Sequence, residues 1–455
     1  MVSPSASGRL AEVFGEEALP VDRFFRTLGL QRAAEASVRA LPAPSRDYLE
    51  AYVRGVNAYL SHAADRLPLE YLIARFTPAA WKPADSLVIA EYMGYMLSFN
   101  AREELVYLRL AARLGPERAL ELFPTDEGIP APDYARALPE YTATALQGFD
   151  RLLALPARWG LPTPGAASNA WAVTGKRTVD GQALLANDPH LAPTMPSIWY
   201  ELEMQARGYH AAGVALPGLP LVVIGHNEAL AWGFTTTIAD TQDVFVERVT
   251  PDGGAVVRAN GGSEAIAARS ERIAVRGHPE PESLEVRSTR NGTLINDILG
   301  VNTGTPMDMV AVDTRHLLAL RTNAEVPDQA FDGLLLLNRA ETLAQARTAI
   351  GKLAHASQNL MLAHRDGGIA WQVSGALPRR GRGLGTFPAP GFQAGYGWQG
   401  YLPRTHNPGK ENPPGDALVT ANDRTIPLDH PVQVSRSWMA PYRARRIRQL
   451  LDTPT

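Results

Sequence analysis

The chain has 455 residues, of which 45% are hydrophobic and 20% charged, with a formal net charge of −3. That balance describes a globular protein and gives no electrostatic basis for binding nucleic acid. No apolar run approaches the roughly 18 residues of a membrane span, and the lack of cysteine excludes disulfides, thiolate zinc sites and a cysteine nucleophile. Met1–Arg9 lacks the apolar core of a signal peptide. Arg9–Gly15 begins as if in mid-helix, and the helix expected over Tyr442–Leu451 runs almost to the last residue, so both ends read as cut.

Residues 1–155 read as mostly helical. Tyr48, Leu49, Tyr52, Val53, Val56, Tyr59 and Leu60 keep a helical period, as do Leu105, Leu108 and the residues up to Leu114, where Gly115-Pro116 is a stop. Tyr141–Leu155 is predicted as a last helix, and residues 156–167 as a Pro/Gly-rich spacer. From Ser168 the texture changes to short strands, predicted over 170–173, 183–186, 198–204, 210–215, 221–224 and 244–249. Asp180-Gly181, Asn260-Gly261, Asn291-Gly292 and Asp366-Gly367 are hairpin signals. A helix is predicted over 341–353, and the Gly/Pro-rich stretch 378–416 reads as a long surface excursion. Helices first and mostly antiparallel strands afterwards give an α+β architecture.

Several polar groups interrupt segments that otherwise look buried: Asn187–His190, Gly225–Asn227, Thr235–Asp243 and Thr420–Arg424. Asp240 and Asp243, three apart in a turn-like segment, are either turn carboxylates or half of an oxygen-rich calcium site. No Gly-x-Ser-x-Gly elbow, no phosphate-binding glycine loop and no zinc-type histidine pair is present. Ser168 stands where the spacer meets a strand. On its own it is an ordinary strand-initiating serine. If the Ala167–Ser168 bond were cut, however, its hydroxyl would share a residue with a free α-amine of pKa about 7.7–8.0, able to act as its base.

Taken in order, Gly8–Gly15, Leu28–Leu30, Tyr52–Tyr59, Ser168–Val173, Leu185–Leu191, Gly225–Asn227, Ala231–Thr235, Asp240–Asp243, Asp366–Trp371, Thr420–Arg424 and Tyr442–Ile447 resemble the penicillin acylase family of N-terminal nucleophile amidohydrolases. The resemblance implies an αββα sandwich with a mostly helical N-terminal part. It implies a zymogen that cuts itself before Ser168, leaving a small chain (1–155) and a large chain (168–455, incomplete at its C-terminus) as a heterodimer. It implies hydrolysis of a small N-acyl amine, with penicillin, cephalosporin and acyl-homoserine-lactone acylases as family activities, and a periplasmic or secreted location.

Carried over by residue, Ser168 is the nucleophile. Asn422 and the Thr236 N–H form the oxyanion hole, the His190 carbonyl lies near the α-amine, and Arg443 sits beside the site. Leu191 and Phe234 border the acyl pocket, joined by Trp199. One structural calcium is implied, held by Glu104, Asp240, the Gln242 carbonyl and Asp243. Glu103 is the alternative to Glu104, and Asp429 is the nearest carboxylate for a further ligand. Two other classes compete with the enzyme: a truncated, non-catalytic fragment, and a binding protein on the same fold that is never processed.

Overall fold

Small apolar residues at every second position of Ser168–Val173 let one strand pack closely between two others. In the computed structural model of the chain, which describes residues 2–63, 66–98, 100–122, 134, 167–191, 195, 197–299 and 316–452, this strand is β1 (Ala167–Val173). It pairs antiparallel with β2 (Leu184–His190) on one side and with Ala417–Thr420 on the other. This small sheet lies on a seven-stranded sheet. The larger sheet runs from β3 (Tyr200–Ala206) through β4 (Tyr209–Ala215), β5 (Ile224–His226) and β6 (Leu230–Thr236) to Gln358–His364, Ile369–Val373 and Gly409–Glu411.

The period of two sorts the larger sheet's side chains. Met361, Ala363, Trp371 and Val373 face Ala170, Ala172 and Leu418 of the small sheet. Leu360, Leu362 and Ala370 point the other way, into a cluster with Leu343, Ala346 and Ile350 of the helix Leu343–Ile350. The helix Tyr442–Asp452 packs on Ala417–Thr420 and β1. The stack is therefore helix, sheet, sheet, helix: the expected αββα arrangement of an α+β fold. Helices fill the described part of residues 2–122. They pack beside a six-stranded sheet that contains β7 (Gln242–Arg248) and His316–Thr322. No helix among the described residues is long and apolar enough to cross a membrane.

All four hairpin signals fall between strands that pair antiparallel. The predicted helix Tyr141–Leu155 and the spacer up to residue 166 lie outside the described residues. Gly115-Pro116 ends the helix Asn100–Leu114 as expected, and a short helix, Pro116–Glu121, follows it. Three expectations change. The strand predicted over 221–224 starts only at Ile224. The helix Ala330–Leu337 is additional, with Leu334, Leu335 and Leu337 buried. The stretch 378–416 is not purely a surface excursion, because it pairs Pro378–Arg380 with Trp398–Tyr401 and sends Phe387 and Trp398 inward.

One buried cluster ties the helical part to the sheets. His355 Nδ1 pairs with Glu91 on the helix Pro83–Met96, and lies 3.8 Å from Asp328 Oδ2. His355 Nε2 donates to the Val326 carbonyl at 2.6 Å, and Ser37 Oγ donates to Glu91 Oε1 at 3.0 Å. Burial alone would push the imidazole pKa down, but two flanking carboxylates outweigh it and hold the group up at about 9. Burial raises Glu91 as well. With two acids around one imidazole, the imidazolium is the state that fits the geometry.

The folded value exceeds the ordinary 6.5, so this contribution is complete below about pH 6.5 and is lost as pH rises through about 9. The melting temperature is expected to fall across that window in pH-scanned thermal denaturation. His355→Gln should flatten the fall, and an unchanged pH profile in the variant would remove the imidazolium from the account.

Candidate active site

β1 runs three residues further than the neighbour on its far side. Pairing with Ala417–Thr420 ends at Ala170↔Thr420, so the ladder runs out before it reaches Ser168. Beyond Thr420 the chain turns left-handed at Asn422, φ 63°, a conformation asparagine tolerates better than most residues. The turn swings the Asn422 amide back against Ser168.

The Ser168 N–H donates to Asn422 Oδ1 at 2.9 Å, and Asn422 Nδ2 donates to Ser168 Oγ at 3.1 Å and to the Thr236 carbonyl at 2.9 Å. The orientation of this amide follows from Arg443, whose Nη2 lies 2.9 Å from Asn422 Oδ1. A guanidinium only donates, so the atom facing it must be the oxygen. Thr236, the last residue of β6, donates its N–H to Ser168 Oγ at 3.3 Å. Arg443 further donates to the Ser168 carbonyl at 2.8 Å, Asn169 Oδ1 at 2.7 Å and the Ala421 carbonyl at 2.7 Å. Ser168, Thr236 and Asn422 are all buried.

A second set of polar groups holds these strands in place. Asn187 of β2 donates to the Asn169 and Phe234 carbonyls, each at 2.9 Å, and accepts from the Phe234 N–H at 3.0 Å. Residue 233 must be glycine for this, because a Cβ there would meet Asn187 Cβ at 2.6 Å. Deeper between the sheets, Trp371 Nε1 donates to Asn359 Oδ1 at 2.8 Å, Asn359 Nδ2 to Thr235 Oγ1 at 3.1 Å, and Thr235 Oγ1 meets Thr420 Oγ1 at 2.9 Å. Asn359 was not legible as a site residue. Its only signal is the amide pair Gln358-Asn359 at the head of a strand whose next four residues are apolar.

Ser168 sits at the rim of a cavity of about 110 Å³. Leu191, Phe234 and Trp199 all line it, together with Met93 and Leu97 from the helical part, Leu216, Leu219 and Ile224 from the sheet side and Leu334 from the helix Ala330–Leu337. Asp328 also borders it, but its Oδ1 accepts from the Ala330 and Ala354 N–H groups at 3.0 and 2.7 Å. His190 ends β2 opposite Ala167. Its ring is exposed, 3.4 Å from Asp188 Oδ2.

Glu104, Asp240 and Asp243 come together as a buried cluster with carboxylate oxygens within 4.8 Å of one another. Gln242 begins β7, opposite Thr322. Asp429 is exposed and stands outside the cluster, and Glu103 lines a small neighbouring pocket with Tyr107 and Ser437. Burial and the two aspartates push the Glu104 carboxyl well up. A residue the sequence did not flag completes the group: the Arg380 guanidinium, 2.8 Å from both Asp240 Oδ1 and Asp243 Oδ2. With a guanidinium on these oxygens, the residues present do not fit a calcium ion among them.

The penicillin amidase family model matches residues 4–455. An acyl-homoserine lactone acylase, QuiP, of Pseudomonas aeruginosa is 35% identical over 98% of this chain and 53% of its own length. A penicillin acylase 2 proenzyme of Pseudomonas sp. is 31% identical over 98% of this chain and 56% of its own. The chain thus spans about half the length of the curated relatives it matches. The crystal form of a penicillin G acylase from Alcaligenes faecalis shares the fold, with a TM-score of 0.51 at 22% identity over 62% of this chain and 49% of that one. The collinear motifs, the layered sheets and a family match over almost every residue agree: this chain belongs to the penicillin amidase family.

Proposed function

We propose that this chain is an N-acyl amide hydrolase whose nucleophile is Ser168, made N-terminal by cleavage of the Ala167–Ser168 bond. The observation that carries the reading is the convergence of two donors, Asn422 Nδ2 and the Thr236 N–H, on Ser168 Oγ at 3.1 and 3.3 Å, at the rim of an apolar cavity. Acyl transfer places negative charge on the carbonyl oxygen of the tetrahedral intermediate. Donors fixed beforehand in a buried site stabilise that charge without reorganising.

The two stages use the same atoms. In the uncut chain, Oγ attacks the Ala167 carbonyl carbon, the C–N bond to Ser168 breaks, and the nitrogen, which keeps its own hydrogen, takes up the proton lost by Oγ and leaves as an amine. Water then hydrolyses the resulting ester, leaving a carboxylate at Ala167 and a free α-amine on Ser168. In the second stage the α-amine takes the hydroxyl proton as Oγ attacks the substrate amide, and passes it to the departing amine. Water hydrolyses the acyl-Ser168 ester to the free acid. Before cleavage the Ser168 nitrogen is an amide and cannot act as base, so the uncut chain is catalytically silent.

Intact mass and N-terminal sequencing of the purified protein test this. A chain beginning at Ser168 is expected, and a folded protein that stays uncut defeats the reading. Relatives named acyl-homoserine lactone acylase and penicillin acylase support an N-acyl amine as the substrate; a periplasmic or secreted location belongs to the same proposal and rests on the family resemblance.

The cavity narrows the acyl group. Leu, Met, Phe and Trp side chains around Ser168 favour an aromatic or medium aliphatic acyl chain, each buried methylene adding about 0.8 kcal/mol. Among the described residues the lining includes no cationic side chain, so an acyl group ending in a carboxylate would find no partner there for its charge. Hydrolysis of phenylacetyl and aliphatic amides is expected to exceed that of glutaryl amides by 10-fold or more, roughly the worth of two methylenes. Preference for glutaryl in kcat/KM would overturn the assignment.

A further inference from the structure

The acidic cluster between the helical part and β7 carries a cation of its own. Glu104 belongs to the helix Asn100–Leu114, Asp240 and Asp243 flank the start of β7, and Arg380 ends the strand Pro378–Arg380. Arg380 Nε lies 2.8 Å from Asp243 Oδ2, and Nη2 lies 2.9 Å from Asp243 Oδ1, a two-point contact that matches guanidinium to carboxylate. The same Nη2 reaches Asp240 Oδ1 at 2.8 Å and the Asp240 carbonyl at 3.0 Å. Trp398 Nε1 also donates to Asp243 Oδ2, and its ring lies 6.0 Å from the guanidinium carbon. Glu104 Oε2 accepts from the Val244 N–H at 3.0 Å, which fastens the helix directly to β7.

Calcium takes six to eight oxygens at about 2.3–2.6 Å. Here both oxygens of Asp243 accept hydrogen bonds from a guanidinium, which also stands 2.8 Å from Asp240 Oδ1 as its ion-pair partner, while that oxygen and Glu104 Oε1 accept no hydrogen bond of their own. The wall of the site is closed as well. Gly385 has φ +67°, and a Cβ there would lie 2.0 Å from Asp240 Oδ2 and 3.0 Å from Arg380 Cζ. The loop after Arg380 thus packs its backbone onto the ion pair, where additional oxygen ligands would have to stand.

We infer that Arg380 is the built-in cation of this cluster, in the role that the family resemblance gives to calcium, so that the helical part is held to β7 without a bound metal. A guanidinium suits the task because it stays charged at every working pH and presents a fixed fork of donors. Unlike an ion, it cannot be lost by dissociation. The inference does not depend on the role of Ser168.

The test uses the full chain as purified. Elemental analysis after passage into metal-free buffer is expected to find no stoichiometric calcium, and thermal melting is expected to be the same in EGTA and in excess calcium. Stoichiometric calcium, or a melting temperature that falls in EGTA, overturns the inference. Arg380→Gln leaves three acids together without their cation and is expected to lower the melting temperature by about 5–10 °C. A variant as stable as the wild type overturns it too. Should Arg380→Gln not fold, the metal content of the wild-type chain still decides.

Discussion

A chain carrying Ser168→Ala is expected to remain a single uncut polypeptide and to lose amide hydrolysis by roughly 10⁴-fold or more, as when a nucleophile is removed from a serine hydrolase. The change removes only one hydroxyl from a buried strand. Asn422 Nδ2 keeps the Thr236 carbonyl as a partner at 2.9 Å, so the fold is expected to survive, with a cooperative melt near that of the wild type. Two readouts are needed together. Mass spectrometry reports the peptide bond, and turnover of an apolar acyl amide reports the chemistry. Cleavage before residue 168 in the variant would show that another group or another protein cuts the chain, and would separate processing from the hydroxyl.

The second large effect is expected at Asn422. Replacement by aspartate keeps the side-chain shape and a residue type that tolerates φ 63°, and it keeps an oxygen for Arg443. It exchanges the one group that matters for the chemistry, because the –NH₂ that donates to Ser168 Oγ at 3.1 Å becomes a carboxylate oxygen. That oxygen faces the developing oxyanion with like charge. A loss of at least about 10²–10³ in kcat is expected, about 3–4 kcal/mol, which is the worth of one oxyanion donor. KM should move little, since the acyl cavity is untouched. Cleavage at the wild-type rate together with kcat within about 10-fold of wild type would dismiss Asn422 as an oxyanion donor.

What was legible in the sequence was whatever is written locally. The turns at Asn260-Gly261 and Asp366-Gly367, the strand predicted over 170–173, and the grouping of Asn422 with Thr420 all depend on neighbours in the chain. Strand boundaries suffered where pairing overrides propensity. The strand predicted over 183–186 continues through Asn187–His190, because Ala167–Ala170 lies opposite in register. Arg380 was invisible for a related reason. It sits in a Gly/Pro-rich stretch with no periodic pattern, and its partners Asp243 and Asp240 lie 137 and 140 residues away. His355 and Glu91 are 264 residues apart, and nothing near either one announces the other. Charges that find each other across the fold leave no local trace, so a glycine-rich stretch with buried aromatics is a poor candidate for a surface loop.

The shortfall of Ala417–Thr420 has a wider consequence. In an antiparallel ladder the N–H and C=O of one residue face the same neighbour. At Ser168 that neighbour is missing, and two side chains imitate it: Asn422 Oδ1 stands where a strand carbonyl would accept, and Arg443 Nη1 where a strand amide would donate. A backbone partner would have filled the space with main chain and left the hydroxyl beside it no room for a reacting carbonyl. Side chains imitate the hydrogen bonds while keeping the space open, and they do so only at a fixed reach. The chain between Thr420 and Arg443 is therefore under a length constraint that its irregular, loop-like appearance conceals. A single-residue insertion or deletion between Asn422 and Arg443 is expected to displace one imitating group relative to the other, whereas substitutions along the same loop, Asn422 excepted, leave both in place.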